Sequence, residues 1–190
     1  DMAGARIKIH SQTEKLLEAS LQNQNVKYSI NESKDKSEIL FTNNNAKGVK
    51  VSTSRKFNNL NEFVLNGDLT WELDLNTDAV DGKFDLTDIN VCKIAIESGL
   101  GNLQFKLGDK SEKVQIIIDA GLSNIEFELP DTAGVRAKVD AGLSSSSFNK
   151  AGWEKRDGYY YSKDYENSDM RIDMDIDIGM GNVSVVFNEV

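Results

Sequence analysis

Hydrophobic and polar residues alternate with a period of two along much of the chain from residue 67 onwards, which is typical of β-strands with one buried face. The residues predicted to face inward near the middle of the chain are Ile116, Ile118, Ala120, Leu122, Ile125, Phe127 and Leu129. The step from Leu122 to Ile125 is three residues, and the same odd step follows Leu100 and Met180. Side chains on a straight strand change faces at every residue, so an odd step predicts a corner in the chain.

Each predicted corner has a glycine just before it and an asparagine just after it. The glycines are Gly99, Gly121 and Gly179, and the asparagines are Asn102, Asn124 and Asn182. A residue without a side chain suits a place where the backbone curves tightly or approaches a neighbouring strand. The asparagine amides are predicted either to bond to backbone groups of the corner or to form a ladder from one repeat to the next.

The corners belong to an internal repeat. Its clearest copies are "IESGLGNLQFKLGD" (96–109), "IDAGLSNIEFELPD" (118–131), "VDAGLSSSSFNK" (139–150) and "IDIGMGNVSVVFN" (176–188). Successive glycines, Gly99, Gly121, Gly142 and Gly179, lie 22, 21 and 37 residues apart, and the longest interval contains an insertion. Weaker copies are "MAGARIKIH" (2–10) and "TDAVDGKFDLTD" (77–88), in which Ala79 precedes Gly99 by 20 residues and one later residue is deleted.

These features predict an all-β fold, a single-domain β-solenoid over residues 1–190. Each unit of about 20 residues is a strand, a corner and a second strand, and successive units stack in chain order. Residues 1–64 are predicted to form less regular rungs, residues 65–188 the regular repeats, and residues 149–171 an inserted hairpin. An ordinary β-sandwich is the alternative.

The N-terminal part is harder to assign. Residues 13–23 suggest a short helix, residues 26–44 alternate like a hairpin, and residues 67–76 predict a strand with Leu69, Trp71, Leu73 and Leu75 on one face. The ends of a solenoid need covering, and the segment around residues 13–60 or the C-terminal turn is expected to do this.

Composition excludes several classes of protein. The net charge of −9 makes a nucleic-acid partner unsuitable, because phosphate contacts need clustered Lys and Arg. Cys92 is the only cysteine, so no intrachain disulfide can form, and its parity with Ile94 and Ile96 predicts a small buried residue. The sequence contains no run of 18 apolar residues, so it predicts no membrane span within these residues. The chain does not begin with Met, and we expect it to be part of a longer precursor.

Several stretches together resemble a known family. They are the "AGLSN-I-F-L" corners, the turn "LGDKS" (107–111), the run "VRAKVDAGLSSSSF" (135–148), the insertion "G-W…DGYYYS" and the closing "IDMDIDIGMGNVSVVF" (172–187). This combination resembles the β-helical toast-rack domains of bacterial membrane proteins. It is similar to the C-terminal extracytoplasmic domain of LiaF-type cell-wall-active-antibiotic-response proteins. The resemblance covers residues 65–188, and "AGARIKI" fits the family's first strand.

The resemblance implies a location and a role. It implies a non-catalytic extracytoplasmic domain at the cell surface, anchored to the membrane by a segment that these residues do not contain. It also implies cell-envelope stress sensing or regulation through contacts with a protein partner, such as a sensor kinase. The family has no established catalytic motif, so the resemblance assigns no functional residue.

Candidate catalytic and metal-binding groups are few. Asp173, Asp175 and Asp177 have the i, i+2 spacing of about 6.5–7 Å that fits the carboxylate pairs of glycosidases, but a solvated outward strand face explains them more simply. His10 is the only histidine, and without a cysteine cluster it does not favour a zinc site or a Ser-His-Asp triad. It is predicted at a strand end or in a loop. The serines of the run 144–147 are predicted to form hydroxyl–backbone bonds in a turn. No cofactor and no metal are expected.

The insertion is the feature that the repeat does not explain. Its aromatic residues are Trp153, Tyr159, Tyr160, Tyr161 and Tyr165, and its cationic residues are Lys150, Lys155, Arg156 and Lys163. Aromatic rings beside cations suit a protein partner, a sugar or an anionic cell-wall polymer. The alternative is a hairpin that folds over the solenoid and buries one face of its tyrosines. The main functional hypothesis is thus a partner-binding envelope domain, and the second is an adhesin-like or glycan-binding module. A polysaccharide lyase is disfavoured, because it needs clustered acidic, basic or metal-binding groups.

Overall fold

A computed structural model describes residues 5–22, 26–43, 60–146, 152–163 and 165–188. Throughout these ranges the regular elements are β-strands, as predicted. They are β1 (Ala5–Ser11), β2 (Leu17–Leu21), β3 (Val26–Glu32), β4 (Ser37–Asn43), β5 (Leu60–Leu65), β6 (Thr70–Leu86), β7 (Asn90–Leu107), β8 (Lys113–Pro130), β9 (Gly134–Ser146), β10 (Glu154–Arg156), β11 (Tyr159–Tyr161) and β12 (Arg171–Asn188). In the described ranges no helix is long and apolar enough to cross a membrane.

Five long strands form a parallel, in-register stack, which confirms the solenoid-like prediction. The large sheet has the order β10-β11-β9-β12-β8-β7-β6-β1-β5-β2. Equivalent residues of neighbouring rungs stand opposite each other, so that each buried position becomes a column. One column contains Leu73, Ile94, Ile116, Met174 and Ala137, and another contains Phe84, Phe105, Phe127 and Val185. The core is the sum of such columns, because every rung presents its apolar face to the same interior.

The prediction that units stack in chain order is wrong for the last rung. Strand β12 lies between β8 and β9, although β9 precedes it in the chain. Strand β12 pairs with β8 along its full length, from Arg171 opposite Lys113 to Asn188 opposite Pro130. Strand β9 ends at Ser146 and matches only part of that length. Placing the longer strand beside β8 therefore satisfies more of the backbone hydrogen-bonding groups of β8.

The corner lies two residues earlier than predicted. Ala120 and Ser123 are both buried, whereas Gly121 and Leu122 between them point outward. The odd step of three thus runs from Ala120 to Ser123, and the prediction that Leu122 faces inward is wrong. The same holds for Leu100 and Met180, which are 53% and 45% exposed. The position opposite Ser123 in the two neighbouring rungs is glycine, Gly101 or Gly181, and the next residue of this column is Val80 on β6. The inner side of the corner therefore has little space between β7, β8 and β12.

The corner glycines behave as predicted. A Cβ added to Gly121 would lie 2.6 Å from the carbonyl oxygen of Gly99, and one added to Gly179 would lie 2.8 Å from that of Gly121. The rungs therefore approach each other too closely at this column for a side chain. The amide side chains of Asn102, Asn124 and Asn182 stand in one column, the amide ladder, as predicted. Asn182 Nδ2 donates to Asn124 Oδ1 at 3.1 Å, whereas Asn102 Nδ2 donates to Asp81 Oδ1 at 3.3 Å.

The upstream copy of the repeat differs from its predicted form. Residues from Glu72 to Leu86 keep a constant 21-residue offset from their partners in β7, so no residue is deleted there. The irregularity is a β-bulge in β7. Trp71 stands opposite Val91 and Glu72 opposite Lys93, so Cys92 is an extra residue without a partner position on β6. Cys92 is consequently half-buried and not buried as predicted, and its Sγ lies 3.5 Å from the carbonyl oxygen of Trp71.

The N-terminal residues add partial rungs. Strand β1 pairs with the second half of β6, Ile7 standing opposite Gly82, so the described residues of the first copy match the part of the repeat after the corner. The helix predicted in residues 13–23 is wrong, because β2 pairs antiparallel with β5. Its two half-buried residues, Leu17 and Leu21, are four apart, a spacing that shares one face on a strand as well as on a helix. The predicted hairpin is confirmed as β3 and β4.

Ser123 provides a stability prediction, because its hydroxyl is buried in the corner without a hydrogen-bond partner. We expect Ser123→Ala to leave the free energy of unfolding unchanged or to raise it by about 0.5–1 kcal/mol, since it removes a desolvated polar group and keeps a small side chain. Ala120→Ser buries a new hydroxyl on the same side of the corner and should lower the free energy of unfolding. Urea titrations of both variants are the measurement. A clear loss of stability in Ser123→Ala would contradict the unsatisfied state of its hydroxyl.

Candidate partner-binding site at the inserted hairpin

The insertion forms a tight hairpin on the outermost long strand. Strands β10 and β11 are joined by Asp157 and Gly158, whose φ angles of 51° and 83° are typical of a two-residue hairpin turn. Strand β11 pairs antiparallel with β9, Tyr160 lying opposite Ala137. The hairpin therefore covers the edge of the parallel stack, and this placement determines which tyrosine faces inward.

The structure divides the five predicted aromatic residues into two groups. Trp153 and Tyr160 are each only 8% exposed and belong to the core. The Trp153 ring packs at 5.9 Å from that of Phe187, and Lys155 Nζ lies 4.8 Å from the centre of the Tyr160 ring. These two residues cannot offer an open ring to a ligand. The other three, Tyr159, Tyr161 and Tyr165, are half-buried at the surface.

The three half-buried tyrosines form a surface cluster with two arginines, which we call the tyrosine cluster: Tyr159, Tyr161, Tyr165, Arg136 and Arg156. The Arg136 guanidinium lies 5.3 Å from the ring centre of Tyr159 and 5.7 Å from that of Tyr165. The Arg156 guanidinium lies 4.1 Å from the ring centre of Tyr161, and the Tyr161 and Tyr165 rings meet edge-on at 5.5 Å. These are cation–π contacts that hold the rings in place.

Two carboxylates hold the tyrosine cluster in place, and one of them, Asp173, comes from the stack. Asp173 Oδ1 accepts a hydrogen bond from the Tyr165 hydroxyl at 2.8 Å and lies 2.8 Å from Arg136 Nε. Glu166 Oε1 accepts from Arg156 Nη2 at 2.7 Å. Burial raises the pKa of the Tyr165 hydroxyl, and its hydrogen bond to Asp173 adds to the increase. Tyrosine and arginine held rigidly at a half-exposed surface are the residues most common at the energetic centres of protein interfaces.

A family profile for the N-terminal domain of toast_rack, DUF2154, matches residues 1–128, which is more than half of the chain. The chain belongs to the toast-rack family. No curated protein shows significant similarity to it. A crystal structure of a candidate cell adhesion protein from Clostridium sporogenes superimposes with a TM-score of 0.84, covering 96% of this chain and 89% of that one. The two sequences are 20% identical, so this likeness bears on the fold alone.

The three aspartates lie on the outer face of the toast-rack domain, as expected, and have separate neighbours. Asp173 contacts two members of the tyrosine cluster, Asp175 lies 3.9 Å from Lys138 Nζ, and Asp177 is exposed opposite Asp119 and Asp140. Across the described ranges, His, Cys, Asp and Glu side chains nowhere gather in the threes that a metal ion would need.

The remaining candidates are also explained by the fold. His10 lies near the end of β1, in agreement with the prediction, with its Nε2 3.1 Å from Glu62 Oε1. A hydrogen bond from Lys8, followed by that from His10, lowers the pKa of the Glu62 carboxyl. Ser144, Ser145 and Ser146 are strand residues of β9 and not a turn as predicted. Ser147 and Lys150 lie outside the described residues, and Lys163 is exposed after β11.

Sequence reasoning missed two members of the site. Arg136 comes from β9, more than 20 residues before the tyrosines of the insertion, and Asp173 comes from β12, eight residues after Tyr165. They meet because β12 lies beside β9 in the sheet. The one signal in the sequence was the opposite charge of the residues at equivalent positions of two repeats, Arg136 and Asp173, which is informative only once the strand order is known.

We expect Trp153→Ala to lower the free energy of unfolding by roughly 3 kcal/mol, since it removes a buried indole beside Phe187. Tyr159→Ala, which truncates a half-buried ring, is the matched control and should cost less than about 1 kcal/mol. Chemical denaturation measures both. Equal losses in the two variants would contradict the division of the aromatic residues into core and surface groups.

The raised pKa of Tyr165 predicts a dependence of stability on alkaline pH. The unfolded chain releases this proton near the ordinary value of 10.0, while the folded chain retains it to a higher pH. Its contribution to stability is therefore complete below about pH 10 and declines as the pH rises through the folded pKa. The stability advantage of the wild type over Tyr165→Phe should stay constant up to about pH 10 and shrink above it in urea titrations. A constant difference would refute a perturbed hydroxyl.

Proposed function

We propose that this toast-rack domain is a non-catalytic extracytoplasmic module of a membrane-associated bacterial protein. It binds a protein partner through the tyrosine cluster and acts in cell-envelope stress sensing or regulation, for which a sensor kinase is a suitable partner. The observation that carries the proposal is the rigid, half-exposed arrangement of three tyrosines and two arginines on the outermost rung. Family membership and the described adhesion role of the structural neighbour favour a surface location.

A glycan-binding module is the second candidate, because tyrosines beside cations are common in sugar sites. Stacking of a sugar requires an open ring face. Arg136 lies over the rings of Tyr159 and Tyr165, and Arg156 lies over that of Tyr161, so a guanidinium occupies one face of each ring. Trp153, the largest aromatic residue of the insertion, is buried. The arrangement therefore favours a protein partner over a stacked sugar.

Site-specific cross-linking in the native host tests the partner class. A photoreactive phenylalanine analogue replaces Tyr161 in the full-length protein, and the same analogue at Val186 is the control, since Val186 is exposed on the half of β12 beyond the corner. We expect a cross-link to one reproducible protein from position 161 only, and its loss when Arg136→Ala is added to the cross-linking variant. Cross-links to cell-wall polysaccharide would support the glycan-binding module instead. Equal cross-linking from both positions would refute a role for the tyrosine cluster.

Two further measurements test location and regulation. Protease added to intact protoplasts should degrade the domain if it is extracytoplasmic, while a cytoplasmic marker protein survives. Tyr159→Ala with Tyr161→Ala should change the induction of cell-wall stress genes by a wall-targeting antibiotic by at least threefold, with Val186→Ala as the control. Unchanged induction would separate the domain from stress regulation, and protection from protease would contradict the extracytoplasmic location.

A further inference from the structure

The corners carry an exposed apolar ridge that the tyrosine cluster does not include. Leu100, Leu122 and Met180 stand opposite one another on the adjacent strands β7, β8 and β12. They are 53%, 48% and 45% exposed. Neighbouring strands are about 4.8 Å apart, so the three side chains form a straight line of roughly 10 Å along the stack. We call this line the corner ridge.

The stack itself does not require large apolar side chains at these positions. Ala79 occupies the same position on β6, and the residues before each ridge residue are glycines whose outward sides are exposed. Most other outward positions of these strands carry charged or amide groups, as expected for a solvated face. Large apolar residues aligned on the surface of adjacent strands are typical of a surface that a partner covers.

A column of carboxylates runs along one side of the corner ridge. Glu97, Asp119, Asp177 and Asp140 stand in register on four adjacent strands, and all four are exposed. Glu97 accepts a hydrogen bond from Asn76, but within the described part of the chain none of the four has a cationic partner within ion-pair distance. Carboxylates about 4.8 Å apart repel one another, so a cation brought beside them is stabilised by the whole column.

On the other side of the corner ridge the three ridge strands carry uncharged side chains. The amide ladder of Asn102, Asn124 and Asn182 lies there, two residues beyond each ridge residue. The next residue of that column, Asp81 on β6, is paired with Arg6. The surface is therefore asymmetric across the ridge, with an apolar line in the centre, negative charge on one side and uncharged hydrogen-bonding groups on the other.

We propose that the corner ridge and its carboxylate column form a docking surface for a basic amphipathic helix of a protein partner. One turn of an α-helix advances 5.4 Å, which differs from the strand spacing by about 0.6 Å, so three successive turns place apolar side chains beside three successive ridge residues. Lysines or arginines on one flank of that helix face the carboxylates, and polar residues on the other flank face the amide ladder.

Charge distinguishes this occupant from two others. A second copy of the chain brings a net charge of −9 and its own carboxylate column to the surface. An anionic lipid surface is repelled by the same carboxylates. A cationic helix is attracted by them and covers the apolar line at the same time, so it gains from both features.

A synthetic helix provides the test. The probe is a fluorescently labelled, end-blocked peptide of about 14 residues with leucines at i, i+3, i+4 and i+7 and lysines along one flank. Fluorescence anisotropy measures its dissociation constant for the purified domain. We expect saturable 1:1 binding that weakens at least tenfold for Leu122→Ser with Met180→Ser, and at least threefold for Asp119→Asn with Asp177→Asn. A peptide with glutamates in place of the lysines should bind at least tenfold more weakly.

Matched controls separate docking from non-specific attraction. Val186→Ser removes a similarly exposed apolar residue, and Glu126→Gln removes an exposed carboxylate, both on the strand halves beyond the corner. Neither should change the dissociation constant by more than about twofold, and the ridge variants should unfold at the wild-type urea concentration. Equal weakening by the controls, or unchanged binding in the ridge variants, would overturn the proposal.

Further outcomes identify the rejected occupants and keep the two proposals separate. Self-association that the ridge variants abolish would assign the surface to a second copy, and ridge-dependent binding to phosphatidylglycerol vesicles would assign it to a membrane. Tyr159→Ala with Tyr161→Ala should leave peptide binding intact. Loss of peptide binding in that variant would place the peptide on the tyrosine cluster and overturn the docking surface, whereas failure of the cross-linking from position 161 would leave it unaffected.

Discussion

Gly181→Ala should lower the free energy of unfolding by about 4 kcal/mol, because two penalties act together at this position. Gly181 has a φ of +136°, a conformation that residues with a side chain adopt only with strain of about 1–3 kcal/mol. A Cβ added there would also overlap the carbonyl group of Ser123 on the neighbouring rung. Relief of that overlap requires the backbones of β12 and β8 to separate at the corner, which costs a further 1–3 kcal/mol or so. Urea denaturation followed by tryptophan fluorescence is the measurement.

Gly152→Ala is the matched control for this prediction. Gly152 also has a positive φ, +73°, but nothing lies within 4 Å of the Cβ that alanine would add. It should therefore pay only the conformational penalty, about 1 kcal/mol. The difference between the two variants isolates the close approach of the rungs. If Gly181→Ala and Gly152→Ala lose equal stability, the close approach of Gly181 to Ser123 does not contribute to the free energy of unfolding.

The repeat and its period were predictable from the sequence because the same packing contacts recur in successive rungs. Equivalent residues such as Ile94 and Ile116, or Phe105 and Phe127, occupy the same column, so local alternation carries the information about their contacts. The glycine column was predictable for the same reason, since every rung meets its neighbour at the same distance there. Where contacts repeat, a local pattern is sufficient.

The position of the corner was less predictable because hydrophobicity and space disagree there. Leu122 is apolar and Ser123 is polar, so alternation places the leucine inside. Between Gly101 and Gly181 the inner side of the corner is too tight for leucine, since a Cβ on Gly101 would already lie 2.9 Å from Ser123 Oγ. The smaller serine is buried there although its hydroxyl has no partner. The corner ridge exists because steric exclusion outweighs hydrophobicity at this position, and no local pattern reports the available space.

The composition of the tyrosine cluster depended on strand order, which is not a local property. Alternation along β11 buries Tyr160 and leaves Tyr159 and Tyr161 at the surface. The contribution of Arg136 and Asp173 follows from the placement of β12 between β8 and β9. That placement results from competition between two strands for the edge of β8, which involves residues more than 40 positions apart.

The corner ridge and the tyrosine cluster share a physical feature that separates them from the core. Both consist of side chains that the repeat positions but does not need for its own packing. Substitutions in the columns should therefore change stability, while substitutions at the two surfaces should change binding with little effect on folding. Among the column residues, Phe105 is the one whose substitution should change stability most clearly.

Phe105→Ala should be as destabilising as Gly181→Ala, lowering the free energy of unfolding by about 4–5 kcal/mol. Phe105 is 1% exposed and lies between two other phenylalanines, with ring centres 4.6 Å from Phe84 and 5.1 Å from Phe127. Alanine removes the buried ring, leaves a cavity bordered by both neighbours and abolishes two stacked aromatic pairs. For a chain of this length the loss corresponds to a fall in the melting temperature of roughly 10–15 °C, measurable by calorimetry.

Phe105→Leu and Val186→Ala are the controls that give this result its meaning. Leucine refills most of the space and should cost about 1–1.5 kcal/mol, so the difference from alanine reports the cavity and not the substitution as such. Val186 is 46% exposed, and its truncation should stay within about 0.5 kcal/mol of the wild type. If Phe105→Ala were no worse than Phe105→Leu, the neighbouring rungs would have to close over the missing ring. Such closure would mean that the stack behaves as a deformable coil, whereas the glycine column already holds the rungs at their shortest distance along one side. Gly181→Ala and Phe105→Ala therefore both test the rigidity of the rung spacing. Gly181→Ala adds an atom where the rungs cannot separate, and Phe105→Ala removes a ring where they cannot move closer.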